Sequence, residues 1–92
     1  MINYSADQLN EIKDNLKYLA TDALGLLNFI KDKEEVAHND IPKESEFGKY
    51  VVDKCIAAFL VSGLIKRRDE GSSKMYSLTE EGMKLINIGE EN

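Results

Sequence analysis

At Gly63 the hydrophobic period of this sequence changes from that of a helix to that of a strand. Few folds place such a change immediately after a long apolar helix. Upstream of it, Val51, Val52, Cys55, Ile56, Phe59 and Leu60 recur at helical spacing and predict one buried face. Lys49, Asp53 and Lys54 fall largely on the opposite side. Ser62-Gly63 ends that helix, with glycine suited to the left-handed position just past a C-terminus. Downstream, Leu64 to Arg68 reads as a strand, Asp69 to Ser73 as a turn and Lys74 to Leu78 as the returning strand. Thr79 then caps a last helix whose first turn carries Glu80 and Glu81, where negative charge suits the helix dipole. Met83, Leu85, Ile86 and Ile88 supply its apolar contacts.

The first half of the chain is helical by the same criteria. Ser5-Ala6-Asp7-Gln8 has the form of a capping box. Behind it Leu9, Ile12, Leu16, Leu19 and Ala23 alternate three- and four-residue spacings, a stripe that serves equally a domain core or a partner's helix. Thr21 and Asp22 offer a second cap. From Ala23 to Ile30 the apolar residues lie nearly all round the helix, which predicts a central, buried element. Val36-Ala37-His38 reads as a short extended stretch, and Asn39, Asp40 and Pro42 as a helix start. Gly48 divides a very short helix, about 40–46, from the longer one. The expected organisation is a single domain over 1–92: an N-terminal helix about 6–20, a buried helix about 22–31, a helix about 46–62, a hairpin about 64–78 and a C-terminal helix about 80–88.

Composition excludes several classes of function. A chain of 92 residues, 42 % hydrophobic and 32 % charged, is neither a disordered tail nor a membrane span. No apolar run approaches the ~20 residues that cross a bilayer, and the first residues have no basic or apolar signal region. No membrane association is expected, and the expected location is cytoplasmic. Cys55 is the only cysteine and His38 the only histidine, so neither an internal disulfide nor a Cys/His zinc site can be assembled. Without a Gly-rich phosphate loop, paired catalytic carboxylates or a Ser/His/Asp set, no enzyme, cofactor or metal is expected. His38 reads as surface or hinge decoration and Cys55 as a small buried hydrophobe. Tyr4, Tyr18, Tyr50 and Tyr76 read first as packing residues, Tyr76 beneath the hairpin. The net charge is −5 but unevenly spread. Residues 1–40 carry 4 Lys against 8 acids, residues 41–76 carry 7 Lys/Arg against 5, and residues 77–92 carry 1 Lys against 4. The middle segment alone is basic.

The run from Phe59 through Ser62-Gly63-Leu64-Ile65-Lys66-Arg67-Arg68 and Gly71-Ser72-Ser73-Lys74-Met75-Tyr76-Ser77-Leu78 to Thr79-Glu80-Glu81-Gly82 resembles the winged helix-turn-helix family. The resemblance implies a mainly α fold with a small β-hairpin wing. It also implies that the helix before the hairpin enters the major groove and the hairpin tip approaches phosphates or the minor groove. Carried onto this sequence, the DNA-binding residues are Lys43, Lys49, Tyr50 and Lys54 from the helical part and Arg67, Arg68, Ser72, Ser73 and Lys74 from the wing. Lys and Arg neutralise phosphates, and small hydroxyl residues let a backbone approach a groove. Arg67 and Arg68 are strand neighbours, so they point to opposite faces. The sequence departs from the family in its very short helix around Ile41–Glu46, and in Glu44, Glu46 and Asp53 near the expected groove. Those departures move the weight from base readout to wing and phosphate contacts. More narrowly, the length, the acidic capped first helix, the Gly-x-Ser-Lys-x-Tyr-x-Leu wing and the Lys/Asn-rich composition are similar to TubR-type centromere-binding adaptors. Such adaptors are small winged-helix dimers that coat repeated DNA sites, couple them to a tubulin-like GTPase and repress their own operon. The resemblance implies that the acidic surfaces of this chain face such a GTPase or its tail. Small phage and plasmid repressors share the same motifs.

The expected function is therefore binding of double-stranded DNA as a homodimer, as a transcriptional repressor or a plasmid or phage partition adaptor. Leu9, Ile12, Leu16 and Leu19 are the expected dimer contacts. The rival is a winged-helix protein–protein interaction module without DNA binding, which the sequence pI of about 4.8 suits. A ligand-sensing regulator is a weaker third, since so short a chain has little room for a pocket of about 300 Å³ unless the dimer interface provides it.

Overall fold

The computed structural model describes residues 2–90; positions 1, 91 and 92 of the expected domain lie outside the described residues. Helix α1 (Ala6–Leu19) begins at a complete capping box, in which Ser5 Oγ accepts from Gln8 N–H at 3.2 Å and Gln8 Oε1 from Ser5 N–H at 2.8 Å. Helix α2 (Ala23–Lys33) fully buries Ala23, Leu26, Leu27 and Ile30 against α1 and the elements that follow. Leu24, Asn28 and Phe29 are half-buried and Gly25 exposed, so α2 keeps one partly open face rather than the all-round burial its sequence predicts. The anticipated cap before it makes no side-chain bond at Asp22.

After Glu34, at φ 64°, the chain forms strand β1 (Val36–Ala37), one 3₁₀ turn (His38–Asp40) and the single-turn helix α3 (Ile41–Glu44) with Pro42 in its first turn. Ser45 ends α3, its Oγ donating to Ile41 O at 2.6 Å and accepting from Phe47 N–H at 3.2 Å. Helix α4 is Lys49–Val61, three residues shorter at its start than the spacing predicts, because Gly48 is extended and serves as its N-cap. Strands β2 (Ile65–Glu70) and β3 (Ser73–Leu78) leave only Gly71-Ser72 as the turn. Gly71 takes φ 60°, as the first position of a type II′ hairpin loop requires. Helix α5 (Glu80–Glu90) closes the chain.

The antiparallel sheet has the order β1-β3-β2, with Val36 opposite Tyr76 and Tyr76 opposite Arg67. The short extended stretch expected at Val36-Ala37-His38 is this third strand, over Val36–Ala37, and tertiary structure supplies its pairing with β3. Gly63, at φ 76°, closes a Schellman cap: Leu64 N–H donates to Phe59 O at 2.9 Å and Gly63 N–H to Leu60 O at 3.1 Å. Thr79 caps α5 by accepting from Gly82 N–H at 3.2 Å, and its hydroxyl donates to Gly63 O at 2.6 Å. A Cβ on Gly82 would collide with the Leu64 carbonyl, so the first turn of α5 can lie on the root of the wing only without a side chain there.

The core runs from Leu9 and Leu16 of α1 through α2, Ile41, Val52, Cys55, Ile56 and Phe59 to Leu64, Ile65, Tyr76, Leu85 and Ile86. Leu9 and Leu16 are therefore buried within the chain and are not free to form a dimer contact, contrary to the expectation for the α1 stripe. The stripe packs on α2, α4 and α5 because these supply an apolar face at the same spacing. Ile12 is half-buried against the same core, and Leu19 keeps 37 % of its surface exposed. No helix among the described residues is long and apolar enough to cross a membrane.

Glu81 is a buried acid that ties the N-terminal segment to α5. Its carboxylate accepts from Tyr4 N–H at 2.7 Å and pairs with Lys84 Nζ at 2.9 Å, while Tyr4 OH donates to Ser62 O at 2.7 Å. The Lys84 ammonium and then the Tyr4 N–H hold the Glu81 pKa below the ordinary carboxylate value. A pKa depressed on folding stabilises the protein fully above the unfolded carboxylate pKa, and that stabilisation disappears as pH falls through the folded value. Urea unfolding of the wild type should show a loss of stability on acidification below about pH 4, and Glu81→Gln should be less stable at neutral pH and flatter across the same range.

Candidate nucleic-acid interface

Helix α4 buries Val52, Cys55, Ile56 and Phe59, so geometry turns Tyr50, Asp53, Ala57 and Val61 outward along one stripe. Tyr50 is 77 % and Val61 88 % exposed. Lys49 is exposed in the first turn, and Lys54 lies with its Nζ 5.1 Å from the Tyr50 ring centroid, a cation–π contact. Tyr18, at the end of α1, is 95 % exposed. The expectation that all four tyrosines pack is thus correct for Tyr4 and Tyr76 and wrong for Tyr18 and Tyr50. The signal was present: Tyr18 sits off the Leu9/Leu16 stripe and Tyr50 off the Val52/Phe59 face.

His38 is likewise more than surface decoration. Its Nδ1 lies 2.8 Å from Tyr76 OH and its Nε2 3.1 Å from Asp53 Oδ1. With the phenol donating to Nδ1, the neutral ring donates through Nε2 to the carboxylate, and both partners are satisfied. One side chain thereby links the 3₁₀ turn, the middle strand of the sheet and the outward face of α4. Burial raises the Tyr76 pKa, so the phenol stays protonated and able to donate.

The two arginines of the wing occupy different faces, as adjacent strand residues must. Arg67 lies opposite Tyr76 in register, on the side of the sheet that faces α4; Arg68 lies opposite Met75 on the other side. Neither guanidinium is free. Arg67 binds Asp69 through Nε at 2.7 Å and Nη2 at 3.2 Å. Arg68 binds both oxygens of Glu35, at 2.7 and 3.0 Å, and reaches Glu70 at 3.2 Å. These pairs lower the pKa of Glu35 and Asp69 and raise that of both arginines. By contrast Lys43, Lys49, Lys54, Lys66 and Lys74 form no salt bridge among the described residues. Lys43 on α3 and Ser72, Ser73 and Lys74 at the hairpin tip line one open cleft. Lys49, Tyr50 and Lys54 lie apart from it on α4. Cys55 is fully buried, and burial raises its thiol pKa, which leaves it an inert packing group.

Three stacked helices, a short one before a long one, and a β-hairpin beside the long helix constitute the winged helix-turn-helix fold. Among solved structures, one of a type III plasmid segregation TubR aligns with 100 % of this chain and 93 % of its own, at TM-score 0.71 and 17 % identity. A mutant of type III plasmid segregation TubR aligns over 99 % and 95 %, at TM-score 0.68 and 19 % identity. A possible transcriptional regulator for arsenical resistance aligns over 83 % and 80 %, at TM-score 0.60 and 14 % identity. At these identities the likeness is one of fold. No protein-family model matches the sequence, and no curated protein matches it significantly.

His38→Ala should lower stability by about 1–2 kcal/mol, since it leaves Tyr76 OH without its partner in a buried site. Hydrogen exchange should locate the loosening in β3 and the start of α4. Tyr76→Phe in the same background should add little, because the two changes remove one shared bond.

Proposed function

We propose that this protein binds double-stranded DNA through α4 and the wing, without catalysis, and acts as a homodimer in transcriptional repression or plasmid or phage partition. The observation that carries the reading is the contrast in its cations. In a chain of net charge −5, Lys43 of α3, Lys49 and Lys54 of α4 and Lys74 of the hairpin form no salt bridge among the described residues, whereas both wing arginines do. Unpaired ammonium groups on a convex helix and a protruding hairpin suit a phosphate backbone. The full-length match to the plasmid segregation TubR structure favours the partition role, in which a tubulin-like GTPase would be the protein partner. The arsenical-resistance regulator favours repression. Both roles belong in the cytoplasm with the DNA. Arg67, on the α4 side of the sheet, would reach DNA only by releasing Asp69, and Arg68 only by releasing Glu35 and Glu70.

For the dimer, Tyr18 and Leu19 at the end of α1 are exposed apolar side chains that a second copy would cover. Tyr18→Glu together with Leu19→Glu should give a folded monomer in sedimentation velocity; a persisting dimer would place the contact elsewhere. One observation favours the interaction-module reading. Ala57 and Val61 extend the exposed stripe of α4 with no polar group for base edges.

Fluorescence anisotropy on duplex DNA from upstream of the protein's own gene, with a scrambled duplex as control, separates the two readings. DNA binding predicts a preference for the upstream duplex and a log K that falls linearly with log salt, and Lys74→Glu should weaken both duplexes. Absence of binding at low salt would leave the protein-interaction reading.

A further inference from the structure

An open cleft of about 460 Å³ separates the helical body from the hairpin tip. Asn39, Asp40 and Lys43 form one wall, and Ser72, Ser73 and Lys74 the other. Two ammonium groups face it against the Asp40 carboxylate, with Asp69 opposite Lys74 in the hairpin register, and neither lysine has a salt-bridge partner among the described residues. The side chains of Asn39, Ser72 and Ser73 also take part in no hydrogen bond within the described chain. Polar residues with unused bonding capacity thus line this space from both walls. The space does not depend on a ligand to form. Its walls are held by the pairing of β1 with β3 and by His38, which lines the cleft and bonds to both Tyr76 and Asp53.

We propose that this cleft seats one phosphate group of a DNA backbone, held jointly by Lys43 from the helical body and Lys74 from the wing. The proposal rests on the DNA-binding reading and adds to it that two elements grip the same phosphate. Non-bridging phosphate oxygens accept from both ammonium groups and from the serine hydroxyls, and the negative charge relieves the repulsion between the two cations. The cleft is open to solvent, which suits a group carried on a continuous strand better than a small enclosed molecule. Asp53, bound through His38, places this seat in a fixed relation to the outward face of α4.

The test is a double-mutant cycle on Lys43→Ala, Lys74→Ala and the pair, read by anisotropy on a short labelled mixed-sequence duplex across a salt series. Each single change should weaken binding about eightfold near 0.1 M salt, the counterion-release value for one phosphate. The double variant should lose scarcely more than either single, and the slope of log K on log salt should fall by about one. Losses that multiply to about sixtyfold, with a slope change of about two, would mean two separate phosphates and overturn the shared seat. Wild-type binding that neither lysine affects would overturn the seat and leave the DNA-binding reading standing, whereas no wild-type binding at low salt would remove both. An amide-detected NMR titration of the DNA-free protein with inorganic phosphate distinguishes the other source of this group. Saturable shifts at Ser72 and Ser73 below millimolar phosphate would reassign the cleft to a free phosphate ligand; unsaturated shifts support the backbone assignment.

Discussion

Leu64 is gripped through its backbone on both sides: its N–H donates to Phe59 O at 2.9 Å, and its carbonyl accepts from Thr79 N–H at 3.0 Å while Gly82 rests against it. The end of α4, the root of the wing and the start of α5 therefore meet at one residue. Its side chain and that of Phe59 are both fully buried in the core, as the hydrophobic positions of such a helix end usually are. The relation between the long helix and the hairpin, on which any joint use of the two depends, follows from this junction. Thr79 secures it by bonding Gly63 and Gly82 with one hydroxyl.

A second tie operates further along the sheet, where His38 joins Tyr76 to Asp53. The first tie fixes where the wing leaves the body and the second limits how far it can swing from α4. Polar bonds of this kind contribute modestly each, about 0.5–1.5 kcal/mol, yet a buried phenol left unpaired costs more than it gains. The acid Asp53, which by sequence looks misplaced on a DNA-facing helix, has a structural use in this arrangement.

In the wing and on helices α3 and α4 electrostatics divides the cations by residue type, whereas Lys33 and Lys84 elsewhere are themselves paired, with Glu44 and Glu81. The guanidinium groups, with their planar forks, hold Glu35, Asp69 and Glu70 and brace the hairpin against β1. Exposed pairs of this kind add little to stability individually, but they cancel the charge that Arg67 and Arg68 would otherwise present. Charge available to an anion comes from Lys43, Lys49, Lys54, Lys66 and Lys74, which form no salt bridge among the described residues. Net charge alone is therefore a poor guide to this surface; what matters is which cations are already paired.

The amino-acid sequence by itself determined the elements and their order. The capping box set the start of α1, Gly63 the end of α4, Thr79 the start of α5, and the change of period between them the hairpin. These are local signals, carried by residues within a few positions of one another, and they need no knowledge of the fold. What only tertiary structure decided involves partners far apart in the chain: the pairing of Val36 with Tyr76, the bond from His38 to Asp53, the grip of Arg68 on Glu35, and the burial of Leu9 and Leu16 inside the chain rather than against a second copy. A stripe of leucines specifies that a helix has a face to bury but not what it is buried against. A single histidine or arginine carries no period at all, so its partner emerges only when the fold has brought the two together.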